Sequence, residues 1–386
     1  MMGSHSRLQH NPQLLRQLGV VTYQQRWPWI GGDLQTLRDT IRPVPLPEDQ
    51  GEPIRIVVPA LASGAAAAGE LLAFLDRPLP TPAGDPVPSK ALVLALHGLG
   101  GSSRREGLRR LVLTLQRRGF AVLRLNLRGA DPGRDLAGGT YAAACNSDLL
   151  PVIVRARELC RQLAPSRSAL PLFGAGVSLG GTMLLNGCLS STQDRATAGL
   201  PPDQLVLDGL FCASSPLDLA ACSASIERPR NRVYQRWLLQ RLVRQTLADP
   251  FGVSPQENES LTQTPPRSIR AFDAAVTAPR WGFDSVDVYY SRASPLPFLL
   301  DDRRSLPPTL LLQALDDPWV PAAGAKRLLS ALTSQPAAQP DPVSVLLTER
   351  GGHNGFHAPG DSLESGCWSD RVASAWLSQL SSEGSR

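Results

Sequence analysis

A serine framed by glycines, then a carboxylate, then a histidine lie in that order along the 386-residue chain, and together they are the ingredients of nucleophilic catalysis. The serine is Ser178, in Gly176-Val177-Ser178-Leu179-Gly180 within FGAGVSLGGTMLLN (173–186). A serine hydroxyl attacks a carbonyl only when a nearby base takes its proton, and the base works best when a carboxylate fixes its tautomer. Downstream, DDPWVP (316–321) offers Asp316 and Asp317, and GGHNGF (351–356) offers His353. Asp317 is the preferred acid, with Asp316 suited to a turn or cap; His353 is the preferred base, with His357 as its substitute. Plain alternatives exist. In a chain with 33 glycines a G-x-S-x-G arises readily by chance, and Ser178 would then be a helix N-cap in a glycine-rich turn.

The elements around these residues weigh against chance. ALVLALHG (91–98), FAVLRLNLRG (120–129), ALPLFGAGVS (169–178) and QLVLDGLFCAS (204–214) are near-continuous apolar runs, the pattern of strands buried on both faces of a parallel sheet. PTLLLQAL (308–315) and PVSVLLTER (342–350) continue the series, and IRIVVPA (54–60) with ELLAFLDRP (70–78) form an opening pair of strands. Helical spacing separates them at 104–118, 147–163 (with Pro151 expected near the first turn), 179–189, 322–333 and 367–380. Strand–helix alternation predicts an α/β fold with a mostly parallel central sheet and helices on both faces. Ser178 then sits on a strand–turn–helix elbow, and the acid and histidine follow two later strands at the same rim.

The first turn of LHGLGG (96–101), after the strand at 91–98, is rich enough in glycine to aim backbone N–H groups at a developing oxyanion. The amides of Leu99 and Leu179 are the candidate donors, and His97 is expected to hydrogen-bond within the loop. Between residues 216 and 303 the strand rhythm breaks, which predicts a helical lid inserted into a hydrolase-like core spanning 51–386, with 1–50 as an N-terminal extension packing on that core and holding only short helical turns. In the lid, RPRNRVYQRWLLQRLVRQ (228–245) has six arginines and no acid, with Val233, Trp237, Leu238 and Leu242 as an apolar stripe. It is expected to be either a cap helix or a peripheral contact with an anionic membrane. Arg270 and Asp273 are expected to be structural.

Composition narrows the partners. The net charge of +5 is almost all arginine, Lys90 and Lys326 being the only lysines, and aromatics are 5% of residues. With no basic block of five or more, a nucleic-acid surface is not expected. Six cysteines without C-x-x-C spacing suit small buried hydrophobes in a reducing, cytoplasmic setting. The sequence shows no apolar signal core at MMGSHSRLQHNPQLLRQ, no run long enough to cross a bilayer, and neither a metal-ligand cluster nor a cofactor fingerprint.

HGLGGSS (97–103), LNLRG (125–129), GVSLGG (176–181), FDAAVTAPRWGF (272–283), YYSRASP (289–295), ALDDPWVP (314–321) and GGHNGF (351–356), with GGDLQTL (31–37), resemble the α/β-hydrolase superfamily and, within it, the YheT-like group with its medium-chain ester synthase/esterase members. The resemblance covers most of the chain from about residue 27. It departs at Asp33, where the group usually has histidine, and at TYAAACNSDL (140–149), where it usually has a segment with histidine and glycine. It implies a serine esterase acting on acyl, lipid-derived or shorter esters. An acyltransferase using the same residues, and a non-catalytic scaffold of the same fold, are the alternatives.

Overall fold

The computed structural model describes residues 12–164, 169–201, 204–334 and 341–383. Residues 1–11, which include most of the stretch inspected for a signal core, lie outside the described residues. Eight strands form one sheet in the order β1-β2-β4-β3-β5-β6-β7-β8: β1 Glu52–Val58, β2 Gly69–Asp76, β3 Leu92–Leu96, β4 Ala121–Leu125, β5 Leu172–Val177, β6 Gly209–Ala213, β7 Thr309–Ala314 and β8 Val343–Thr348. β1 pairs antiparallel with β2, and β2 with β4; every later pairing is parallel.

Side-chain alternation splits the core into two layers. Leu92, Leu94 and Leu96 of β3 face one layer, with Ile153 and Met183 of the helices Asn146–Gln162 and Leu179–Cys188. Val93 and Ala95 face the other, with Leu111 and Leu115 of the helix Glu106–Arg117 and Val372 and Leu377 of the helix Trp368–Glu383. Both faces being covered is why β3 to β7 read as unbroken apolar runs rather than as alternating ones. Pro151 stands in the second turn of its helix, later than the sequence predicts. A proline there lacks the N–H that would bond back to residue 147, so the cost falls on one hydrogen bond near the helix start.

The N-terminal segment is more regular than expected. Gly32–Ile41 is a helix of 10 residues, and its fully buried Gln35 brackets one residue of the distant 351–357 loop: Gln35 Nε2 donates to the His357 carbonyl at 3.1 Å, and the His357 amide donates to Gln35 Oε1 at 2.7 Å. Its polar composition hides this from periodicity, because what it buries is an amide rather than an apolar face. Residues 216–303 contain helices and turns only, among them Leu219–Ile226, Arg232–Leu247, Val286–Ala293 and Leu296–Asp301. In Arg232–Leu247 the inward side is Leu238, Leu239, Leu242 and Thr246. Val233 is 79% exposed and Trp237 43%, so the inferred stripe is displaced by about a third of a turn from its expected members. Among the described residues no helix is long and apolar enough to cross a membrane.

After β4, LNLRG turns around a buried ion pair. Arg128 meets Asp148 through Nε at 2.8 Å and Nη2 at 2.7 Å, and its remaining donors reach the carbonyls of Gly138 and Pro59. Removing either partner strands a buried charge, so Arg128→Ala or Asp148→Ala should each cost about 3–5 kcal/mol in chemical denaturation. An effect below about 1 kcal/mol would show that water replaces the lost partner.

Candidate active site

At the end of β5 the chain enters the helix Leu179–Cys188 through Ser178, whose φ of 54° and ψ of −127° lie in a region that L-residues rarely adopt. The strain, on the order of 1–3 kcal/mol, is held by the surroundings. The Ser178 amide donates to the Ala213 carbonyl of β6 at 2.8 Å, and the Gly181 amide donates to the Ser178 carbonyl at 3.0 Å. There is no space beside this turn. A Cβ on Gly180 would lie 2.5 Å from the Leu96 carbonyl oxygen and 2.7 Å from that of His97, and one on Gly176 would overlap the Gly181 backbone. Helix and strand can approach this closely only because both positions lack side chains.

The loop after β8 brings in the histidine. His353 Nε2 is 2.9 Å from Ser178 Oγ and its Nδ1 is 2.9 Å from Asp317 Oδ2, so three residues far apart in sequence form one hydrogen-bonded chain. Asp317 is fully buried and held on every side: its Oδ1 accepts from the amides of Trp319 (2.8 Å) and Val320 (2.9 Å), and its Oδ2 also accepts from Gln313 Nε2 (3.2 Å). The two adjacent aspartates divide the work. Asp316 accepts from the Gly352 amide at 2.9 Å and so anchors the histidine loop, while burial raises its pKa above the usual carboxylate value. His357 does not reach Ser178; it packs against Asp39 and Asp361, at 3.2 and 3.6 Å.

Two contributors escape sequence reading. The His353 amide donates to Thr36 Oγ1 at 2.8 Å, and Thr36 in turn donates to the Gly32 carbonyl at 2.7 Å, so the N-terminal helix holds the backbone of the base. Only the resemblance at GGDLQTL marked that helix. Trp319 stacks on the His353 ring, centroids 4.5 Å apart at 29°, placing the negative face of the indole over a ring that becomes positive when it takes a proton. Asp33, where the resemblance departs, accepts from Arg230 Nη2 at 2.9 Å and the Tyr234 hydroxyl at 3.0 Å, tying the N-terminal helix to the lid.

The loop after β3 lies against the elbow: a Cβ on Gly98 would come 2.8 Å from that of Ser178. His97 Nδ1 lies 2.8 Å from the Gly98 carbonyl and its Nε2 accepts from the Leu127 amide at 3.4 Å, which fixes the Nδ1–H tautomer; burial lowers its pKa to about 4. His97 is therefore a neutral strut for the loop. The Gly100 amide donates to the Tyr141 hydroxyl at 2.6 Å. Leu99 and Leu179 both border the space in front of Ser178.

That space is a cavity of about 590 Å³ enclosed between the sheet rim and the lid, bordered by Ser178 and His353 and walled by Leu219, Ile226, Leu238, Leu242, Phe272 and Val320 among others. Among its polar lining groups is Asp273, at the start of a π-helical turn, Asp273–Thr277. The Tyr290 hydroxyl donates to Asp273 Oδ2 at 2.8 Å, and no cation pairs with this carboxyl among the described residues. Burial raises its pKa to about 6 against the opposing hydrogen bonds from Thr277 and Tyr290. Asp273, expected to be structural, therefore also shapes the cavity wall. Among the described residues no group of His, Cys, Asp and Glu is arranged to hold a metal.

Since the folded state keeps the Asp273 proton that the unfolded chain releases, stability should fall as pH rises from about 4 to 6. Asp273→Asn removes this dependence. The melting temperature of the variant relative to the parent should therefore climb between pH 4 and pH 7; a flat difference would show that Asp273 is ionised throughout.

A family model described as "Alpha/beta hydrolase family" matches residues 92–364. The Escherichia coli protein named "Putative esterase YheT" is 31% identical over 75% of this chain and 76% of its own length. Human Phospholipase ABHD3 is 28% identical over 69% of this chain, and Medium-chain fatty acid ethyl ester synthase/esterase 2 of Saccharomyces cerevisiae is 28% identical over 68%. This chain spans only 59% and 57% of those two longer proteins. With a matching family model over most of its length, a mostly parallel eight-stranded sheet and a strand–Ser178–helix elbow, the chain belongs to the α/β-hydrolase family.

Proposed function

We propose that the protein is a serine carboxylic-ester hydrolase that works through an acyl-enzyme. The observation that carries this reading is the Ser178–His353–Asp317 chain, with both links at 2.9 Å, opening on a largely apolar cavity. Ser178 Oγ attacks the ester carbonyl as its proton passes to His353 Nε2. Asp317 keeps the Nδ1 proton of His353 in place and stabilises the imidazolium without taking that proton. The amides of Leu99 and Leu179 receive the oxyanion, the second of them at the helix N-terminus, where N–H groups have no acceptor within the helix. The tetrahedral intermediate collapses as His353 protonates the departing alcohol. Water, deprotonated by His353, then cleaves the acyl-serine and returns the acid.

The acyl chain fits under the lid, against Leu219, Leu238 and Leu242. The apolar wall also favours an alcohol over water as acceptor, and one relative is named as an ester synthase as well as an esterase. Acyl transfer by the same residues is therefore the second reading, and the partition of a butyryl-enzyme between ethanol and water measures it.

Ser178→Ala should lower kcat on p-nitrophenyl butyrate by about 10⁵- to 10⁶-fold and abolish labelling by a fluorophosphonate probe. Asp317→Asn should retain labelling but lose about 10⁴-fold in kcat, since the amide favours the wrong histidine tautomer. Undiminished turnover in Ser178→Ala would refute the mechanism.

A further inference from the structure

Most buried or half-buried arginines in this chain meet a carboxylate, among them Arg110, Arg124, Arg128, Arg157 and Arg280. Arg105 and Arg241 do not: neither has an ion pair among the described residues. They stand together nonetheless. Their guanidinium carbons lie 5.9 and 5.8 Å from the centroid of the Trp237 ring, one from the core helix cap and one from the lid helix. Arg105 feels both burial and the like charge of Arg241, which together lower its pKa.

The position of the pair matters. Arg241 Nε donates to the Gly100 carbonyl, leaving its two terminal nitrogens without a partner among the described residues. Both arginines lie close enough to the oxyanion loop to act on the charge of His97 and on the Tyr141 hydroxyl. Arg105 and Trp237 border the same cavity as Ser178. Leu219, Leu238, Leu242 and Phe272 supply an apolar part of the wall, beside polar groups that include Asp273 and Glu106. Two neighbouring guanidinium groups with no ion-pair partner among the described residues repel each other, and a bound anion offsets that repulsion while offering oxygen acceptors to planar N–H forks.

We propose that Arg105, which borders the cavity, and its neighbour Arg241 form an anion-binding site beside Trp237, which selects esters bearing a carboxylate or phosphate on the alcohol side of the scissile bond. The acyl chain occupies the apolar part of the cavity and the charged leaving portion stays beside Trp237, which is partly exposed. The assignment rests on the ester-hydrolase reading, and it makes the lid helix a part of substrate recognition.

The test compares two soluble esters with the same acyl group, butyrylated 4-hydroxybenzoate (anionic) and butyrylated methyl 4-hydroxybenzoate (neutral), in the parent, Arg105→Gln, Arg105→Lys and Arg105→Gln/Arg241→Gln. Arg105→Gln carries the most weight, because Arg105 makes no contact with Gly100, whereas loss of Arg241 also releases the oxyanion loop. The ratio of kcat/KM for the anionic to the neutral ester should fall about 10- to 100-fold in the double variant, mostly through KM, with a partial fall in Arg105→Gln that Arg105→Lys restores. Calorimetric titration with inorganic phosphate should show binding to the parent and to Ser178→Ala, and none to the double variant. An unchanged ratio, or equal losses on both esters, would overturn the proposal. So would loss of binding to phosphatidylglycerol vesicles alone with the ester ratio intact, since the arginines would then serve a membrane surface. If the parent turns over neither ester, the hydrolase reading fails instead, and phosphate binding by calorimetry still decides the anion site.

Discussion

The whole site depends on how closely one helix is pressed onto the sheet. Gly180 meets the carbonyls of Leu96 and His97 with no room for a methyl group, and Gly176 does the same to the helix backbone. That contact forces Ser178 into its left-handed geometry and lifts its hydroxyl clear of the sheet. It also brings the loop after β3 beside Ser178, so that Leu99 and Leu179 border one space. A spacing wider by the thickness of a methyl would relax the turn and separate the two residues together.

Around that fixed point the remaining groups are held by hydrogen bonds, with the stack of Trp319 on His353 added to them. Asp317 is gripped by two amides and a glutamine, the loop of His353 by Asp316 and Thr36, and the following segment by Gln35. Such contacts are directional, which suits a base that must hold one orientation while its charge changes. The lid belongs to the same system, since Arg241 ends on Gly100 and Arg230 on Asp33.

The sheet was legible because burial on both faces leaves unbroken apolar runs, and the elbow because its glycines stand at fixed offsets from Ser178. The order of Asp317 and His353 after two later strands was legible for the same reason. The supports were not. Thr36 acts through one hydrogen bond and Gln35 through two, to residues more than three hundred positions away, and nothing in local pattern encodes such a pairing. Of the apolar stripe read in the lid helix, Leu238 and Leu242 face inward while Val233 and Trp237 are exposed, because arginines and leucines are mixed around the helix. The isolation of Arg105 and Arg241 is likewise invisible in sequence, where they are two arginines among many.

The bond between Thr36 and His353 joins nearly the two extremes of the described chain. As the protein is synthesised, Ser178 and its elbow leave the ribosome well before the loop that carries the base. The helix at Gly32–Ile41 therefore meets this hydrogen-bond partner only after almost all of the chain has been made. The hydrogen-bonded set around Ser178 is then completed by closing a ring of more than three hundred residues.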